Sequence, residues 1–394
     1  MFKKSLIAVA VLGATAFSVQ AADVTMYGKV DLGLQYKTSE VTVGDKTMVD
    51  EDTFSMENGR NSASRFGIKG SEDLGNGMKV SFQLENGFKA DSGEFKTEGK
   101  LFDRQATVAL SSDFGTLTMG RVGGVGSGAG FDLVYGYGDA FDGGDGDVFG
   151  MAASDRYDNM VTYQTPSFSG FQATVQYSLN ESSVDNTLRE NSSQVDRYLG
   201  FALTAELGAL QGVLAYETQN YASFGDKAQA NTEDGQVVYL GGNYDFEVAK
   251  VFVMGQYFKG LAENPFAADA FEGHPVDGEG VKGFGAHVGT IVPVAGGDFT
   301  GGLYYVDSTV KYAEEDADGK YYGVALKYEY PLSKRTSVYG GTGWYKAKVD
   351  YSADDVYKEE GYQMFESMIQ SIKDETVAVA GALDDIGTAA APEN

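Results

Sequence analysis

The stretch VTMYGKVDLGLQY, residues 24–36, decides how this chain folds, because its side chains alternate between two kinds. The apolar members are Val24, Met26, Val30, Leu32, Leu34 and Tyr36. The opposite face carries Thr25, Tyr27, Lys29, Asp31 and Gln35. A repeat of two residues is the period of a β-strand. The stretch therefore predicts a strand with one oily face and one wet face.

Residues 78–89 repeat this alternation. Two such strands also fit a soluble β-sandwich, which has a core face and a solvent face, so the number of strands has to decide. Candidate strands recur along the whole chain, and the last is the least regular: 24–36, 62–74, 78–89, 104–112, 115–122, 157–165, 170–180, 197–206, 209–219, 236–244, 248–259, 282–292, 298–307, 320–330, 336–349 and 376–383.

The connections between these candidates alternate in length. The tight ones centre on Gly75-Asn76, Asp113-Phe114, Pro166-Ser167, Leu207-Gly208, Asp245-Phe246, Ala295-Gly296 and Leu332-Ser333. The long ones are 38–61, 91–103, 123–156, 181–196, 220–235, 260–281, 308–319 and 350–375. Short turns on one rim and long loops on the other are typical of up-and-down membrane barrels. The sequence predicts an all-β, 16-stranded antiparallel transmembrane β-barrel with periplasmic turns, extracellular loops and an aqueous interior.

The N-terminus has the features of an export signal. Lys3 and Lys4 precede an apolar run at residues 6–17, and Val19-Gln20-Ala21 gives a small-residue cleavage pattern. This order predicts a signal peptide over residues 1–21 and a barrel over 22–394. Export and strand pattern together predict a place in the cell outer membrane, in contact with its lipid and lipopolysaccharide.

Composition narrows the possible classes further. The chain has 53 Gly, 25 Tyr and 24 Phe but no Cys and only 6 Pro. A secreted chain without cysteine relies on its hydrogen-bonded architecture, and this aromatic content excludes collagen-like or low-complexity chains. A net charge of −27 repels phosphates, which excludes nucleic acid as a partner.

The third long connection, 123–156, opens with glycines and continues with acids. Loops of this length without secondary structure are usually functional. We predict that it bends into the lumen and sets an acidic wall against basic side chains of the barrel. The acidic candidates are Asp132, Asp139, Asp142, Asp145, Asp147 and Asp155. The basic candidates are Arg65, Lys69, Lys79, Arg104, Arg121 and Arg156.

Opposite charges across a narrow gap create a transverse field that sorts permeating ions and small hydrophilic solutes. The net charge and the aspartates of the loop favour cations. The alternative for this loop is an extracellular position in solvent. Arg104 shares parity with Val108 and Leu110, so it faces inward only above the lipid band or after a bulge.

Several blocks of the sequence resemble the trimeric general porins of Gram-negative bacteria. They cover most of the chain beyond the signal peptide and are VTMYGKVD at 24–31, SRFGIKGSEDLG at 64–75, FQLENGF at 82–88, RQA at 104–106, FGTLTMGR at 114–121, RYDN at 156–159 and YPLSKRT at 330–336. The resemblance implies a homotrimer of sixteen-stranded barrels, each with a pore narrowed by its third loop. It also implies that Arg65, Arg104 and Arg156 lie at the constriction.

The C-terminus departs from this family pattern. Porins of this kind usually end in an aromatic residue that the barrel assembly machinery recognises, whereas residues 388–394 read TAAAPEN. Phe365, Met368, Ile369 and Ile372 have helical spacing. We therefore treat 361–394 as an atypical tail and expect the closing strand at 376–383.

Two alternatives belong to other classes. A barrel hydrolase would need a base, and His287 is an inward candidate, but no serine motif marks a nucleophile for it. An adhesin or receptor would use the acidic loops to bind a host or a phage. The sequence predicts no catalytic residue, no metal site and no cofactor.

Overall fold

The computed structural model describes residues 23–43, 46–141, 156–179, 196–221, 233–262, 276–312, 316–351 and 356–375. The predicted signal peptide lies outside them. Apart from one short helix, α1 (Tyr135–Gly138), the regular elements are strands: β1 (Asp23–Val43), β2 (Lys46–Asn58), β3 (Arg65–Gly75), β4 (Met78–Gly87), β5 (Gln105–Ser112), β6 (Gly115–Gly123), β7 (Arg156–Gln164), β8 (Phe171–Ser178), β9 (Arg197–Leu207), β10 (Leu210–Asn220), β11 (Gly235–Asp245), β12 (Lys250–Leu261), β13 (Val276–Val294), β14 (Gly297–Tyr312), β15 (Asp316–Pro331), β16 (Thr336–Tyr351) and β17 (Val356–Glu375).

The strands form one antiparallel ring. From β3 to β17 each strand pairs with its neighbour in sequence, and β1 joins the ends by pairing with β17 on one edge and β3 on the other. In a membrane, closure matters because each unpaired edge amide in hydrocarbon costs several kcal/mol. The predicted barrel is confirmed.

Strands β2 and β3 share one position in this ring. The lower part of β1, Asp23–Lys29, pairs with β3, and its upper part, Leu32–Val43, pairs with β2. The seventeen strands of the described residues therefore fill sixteen positions. Residues 59–64, which separate β2 from β3, lie beside Asp31 at the point where β1 changes partner.

The predicted tight turns are confirmed at one rim. Asn76 and Gly77 form a two-residue turn with φ of 53° and 74°, and Ala295 and Gly296 form another with 52° and 84°. Positive φ at both positions defines a type I′ turn, whose twist matches that of the flanking strands.

Side chains alternate across the wall as predicted. Met26, Leu34 and Tyr36 are exposed on the outside, whereas Asp31 and Gln35 are 0% and 2% exposed. The outward members of the other strands include Leu203, Leu214, Leu240, Val253, Val288, Leu303 and Leu326. Together they make a continuous apolar belt, as a surface facing lipid requires. Within the described residues, no helix has the length and apolar content needed to cross a membrane.

The end of the chain differs from the prediction. Residues 356–375 form β17, which pairs with β16 and β1 over most of their lengths. The helix indicated by the spacing of Phe365 to Ile372 and the loop predicted at 350–375 are therefore wrong. The physical reason is pairing, because a strand here satisfies the open edges of both β1 and β16. The expected closing strand at 376–383 lies outside the described residues.

Some connections predicted to be long are tall hairpins instead. β1 and β2 are paired across almost all of 38–58, and β14 and β15 are paired up to Lys311 and Asp316. The inward alternation continues there, since Val306 and Val310 are both 0% exposed. The inner faces of β14–β16 stay packed above the apolar belt through Val310, Ala317 and Val349, whereas residues 46–54 of β2 are exposed on both faces.

The lipid-facing belt makes a stability prediction. Leu240 is 67% exposed and lies at the centre of the eleven residues of β11. We expect Leu240→Arg to destabilise the barrel by about 2–4 kcal/mol, because a charge at mid-membrane loses its hydration. Urea unfolding in phospholipid vesicles measures this difference.

Leu207→Arg is the matched control. Leu207 is also outward but ends β9 next to a tight turn, where the cost falls to about 0–1 kcal/mol. Equal destabilisation by the two variants would contradict a membrane belt centred on Leu240.

Candidate functional site

The described part of the third long connection, up to Phe141, lies inside the barrel. β6 ends at Gly123, and the residues that follow, up to Phe141, pack against inward side chains of β9–β16. Val125, Val134 and Phe141 are 1%, 0% and 3% exposed. Burial of such a side chain stabilises the loop's position by about 1.5–3 kcal/mol. The predicted inward course is confirmed for the described part of this loop, residues 123–141.

A buried carboxylate holds the start of the loop. Glu217 on β10 accepts hydrogen bonds from Tyr239 Oη at 2.7 Å, Tyr198 Oη at 2.9 Å and the Gly126 amide at 3.2 Å. The Val125 amide donates to Tyr198 Oη at 2.7 Å. Glu217 is 4% exposed, so these donors replace the water that its charge would otherwise need.

Further hydrogen bonds hold the end of the loop. Asp139 Oδ1 accepts from Tyr304 Oη at 2.9 Å and lies 3.4 Å from His287 Nε2. Asn243 Nδ2 donates to the Tyr137 carbonyl at 2.9 Å. Gly138 fits there because a Cβ would lie 2.9 Å from the sulfur of Met254.

The described acids of the loop serve local structure. Asp132 Oδ1 accepts from the Gly136 amide at 3.1 Å, in the turn of α1. Asp139 is 3% exposed and faces the barrel wall rather than the open lumen. The remaining acidic candidates, Asp142, Asp145, Asp147 and Asp155, lie outside the described residues.

Two of the predicted arginines meet on the opposite wall. Glu85 of β4 lies 2.7 Å from Arg104 Nε and 3.8 Å from Arg65 Nε. Tyr27 Oη also donates to Glu85, at 2.9 Å. Inward parity accounts for Tyr27, Arg65 and Glu85, which face one another across β1, β3 and β4.

Arg104 faces the lumen, although strand parity predicts an outward side chain, because it lies outside the regular strand. It lies just before β5, and its amide donates to the Glu85 carbonyl at 3.2 Å. The backbone outside the regular strand turns its side chain to the lumen side. Arg104 is therefore beside Glu85 although Val108 and Leu110 of the same parity are outward.

The other basic candidates are spread around the barrel. Lys69 Nζ lies over the Tyr27 ring, 5.3 Å from its centroid. Lys79 is exposed next to the tight turn after β3, six residues or about 20 Å along β4 from Glu85. Arg121, at the bulge of β6, contacts Asp158 at 2.6 Å instead of Glu85. Arg156 begins β7 opposite Gly123.

Sequence reasoning missed a second polar group in the lumen. Asp31, Tyr339 and Lys327 belong to it, with Asn61 and Glu329. The wet face of the first strand indicated Asp31. Tyr339 lies 308 residues from Asp31, and Lys327 lies 266 residues from Asn61, so no local pattern connects them.

The Glu217 anchor makes a prediction of its own. Tyr239→Phe keeps the ring and removes one donor to a buried carboxylate. We expect the free energy of unfolding to fall by about 1–3 kcal/mol. Urea unfolding in vesicles measures it, and single-channel recording should show a noisier open current because the loop is held less firmly.

Tyr163→Phe is the control for this change. Tyr163 Oη donates to the Phe114 carbonyl at 2.5 Å, in an exposed turn remote from the loop. We expect a change within about 0.5 kcal/mol and an unaltered current. A quiet current from the Tyr239→Phe channel would show that Tyr239 does not restrain the loop.

Comparison with known proteins agrees with this geometry. The family model described as Gram-negative porin matches residues 8–350. An outer membrane porin protein of Bordetella pertussis is 35% identical over 368 residues, 86% of this chain and 92% of that protein. Outer membrane porin protein 32 of Delftia acidovorans is 31% identical, over 88% and 90% of the two chains.

A solved structure gives the same result for the fold. The anion-selective porin from Comamonas acidovorans superimposes with a TM-score of 0.62 at 26% identity, over 89% of this chain and 100% of that one. The closed ring, the apolar belt and the loop inside the lumen are thus accompanied by sequence likeness over most of the chain. The chain belongs to the Gram-negative porin family, and it is an outer-membrane porin whose barrel forms a channel for passive diffusion.

Proposed function

We propose that this porin prefers small anions and that the wall around Glu85 sets the preference. The observation that carries the proposal is the ratio of charges there. Two carboxylates, Glu85 and Asp103, lie beside Arg104, Glu85 also lies 3.8 Å from Arg65, and Lys69 lies over the neighbouring ring of Tyr27. Glu85 and Asp103 neutralise two of these three positive charges, so the passage keeps an excess of positive charge that raises the local concentration of anions.

This proposal replaces the cation preference expected from the net charge. Charges separated by more than about 8–10 Å are largely screened at physiological salt. Acids on the outer loops therefore count for less than the groups that line the passage. The two described acids of the third loop, Asp132 and Asp139, are engaged in its own structure. The anion selectivity of the similar Comamonas porin supports the same sign.

The reversal potential in a potassium chloride gradient tests the proposal. We expect chloride preference for the wild type and a shift toward potassium for Arg65→Gln. Each removed charge lowers the local potential at the passage, so the permeability ratio should change roughly twofold. A cation-preferring wild type would refute the proposal.

Lys79→Gln is the matched control, because it removes the same charge from the same barrel. Lys79 lies about 20 Å from Glu85 along β4, beyond the screening length. We expect its reversal potential to equal that of the wild type. Equal shifts for Arg65→Gln and Lys79→Gln would locate the control of selectivity elsewhere.

We also propose that the channel is passive and carries no catalytic activity. The contacts of His287 support a structural role. Its Nδ1 lies 3.2 Å from the Leu303 carbonyl, its Nε2 lies 3.4 Å from the Ala140 amide, and its ring stacks on Tyr304. In this arrangement the imidazole positions the third loop, and none of these contacts is a serine.

The assembly is a further part of the proposal. We propose a homotrimer, as the resemblance to trimeric porins implies, embedded in outer-membrane lipid and lipopolysaccharide and inserted by the barrel assembly machinery. Light scattering of detergent-purified protein should give about three times the monomer mass, after correction for detergent. A monomer mass at all protein concentrations would contradict the trimer.

A further inference from the structure

Residues 59–64 form a short inward segment between β2 and β3. The Gly59 amide donates to the Asp31 carbonyl at 3.0 Å, and the amides of Asn61 and Ser62 donate to Asp31 Oδ2 at 2.9 and 2.8 Å. Asp31 is 0% exposed and on the inward face of β1. The segment is therefore folded over the inner wall and not out toward solvent.

Residues 59–64 also contact β15 and β16, the strands that lie beyond β17 in the ring. Tyr339 of β16 donates to Asp31 Oδ1 at 2.9 Å and receives the Asn61 amide at 3.0 Å. Asn61 Nδ2 donates to Glu329 of β15 at 3.2 Å, and Lys327 Nζ donates to Asn61 Oδ1. One asparagine side chain thus uses both ends of its amide to connect residues 59–64 with β15.

Lys327 extends this connection to the third loop. Its Nζ lies 5.7 Å from the ring centroid of Phe141, within the range of a cation–π contact. Phe141 is the last described residue of the inward course of the third loop. Lys327 of β15 therefore joins two inward segments, residues 59–64 through Asn61 and the third loop through Phe141.

We propose that Asn61 and Lys327 limit the size of permeating solutes by fixing residues 59–64 as a second constricting segment beside the third loop. The proposal rests on the diffusion function of the porin and is independent of its charge preference. Lys327 is 3.7 Å from Glu329, which balances its charge, and Asn61 is neutral. The connection accordingly acts on the open cross-section and not on the sign of the ion.

Liposome swelling with neutral sugars tests this role. Asn61→Ala removes the amide that contacts Lys327 and Glu329 and leaves the backbone bonds to Asp31 in place. We expect tetrasaccharide entry relative to monosaccharide entry to rise roughly 1.5-fold, because hindrance by a narrow pore acts most strongly on large solutes. The reversal potential should stay at its wild-type value.

Asn61→Trp probes the opposite direction. A larger side chain at this partly exposed position should lower the same sugar ratio and the single-channel conductance. A purely structural asparagine would give reduced stability in both variants without opposite changes in the ratio. That result, measured on channels that still insert, would overturn the proposal.

Asn220→Ala is the matched control. Asn220 Nδ2 donates to Asp234 at 2.6 Å, in an exposed position at the loop end of β10. We expect its sugar ratio to equal that of the wild type. If Asn61→Ala shifts the reversal potential and leaves the sugar ratio unchanged, the size role is refuted. A cation-preferring wild type would refute the charge proposal alone.

Discussion

The structure depends on one constraint, which is that every backbone amide in the hydrocarbon layer needs a partner within the protein. A ring of strands meets this requirement only if its first and last members pair. β1 satisfies both edges, by pairing with β17 along one and with β3 and β2 along the other. The change of partner near Asp31 leaves room for residues 59–64 inside the wall. Closure of the ring is therefore also the reason that residues 59–64 form an inward segment.

The inward position of the third loop depends on a second constraint, which is that a buried charge must be paired by hydrogen bonds. Glu217 and Asp139 are both almost fully buried, and both receive tyrosine hydroxyls from the wall. Apolar side chains such as Val134 and Phe141 give the loop its affinity for this half of the barrel. The other half, around Glu85, is left to the permeating solutes, and its charges are the ones that act on them in the proposed function.

In a pore of this kind, the net charge of the chain and the charge that lines the passage are different quantities. The chain carries a net charge of −27, yet the wall around Glu85 has more cationic than anionic groups. Screening makes the potential at the passage a local quantity. Composition alone therefore predicted a preference for cations, whereas the described contacts favour anions.

The sequence by itself determined the alternation of strands, the tight turns and the inward parity of Tyr27, Arg65 and Glu85, because these properties repeat every two residues and need no distant partner. It also indicated the third loop through its length. Only the tertiary structure decided that β17 begins at Val356, since the last strand is selected by the edges of β1 and β16. It alone placed Arg104 beside Glu85, turned Asp139 to the wall and joined Asn61 to Lys327. Arg104 is placed by the irregular backbone before β5, whereas Asn61 and Lys327 are 266 residues apart and ring closure brings them together.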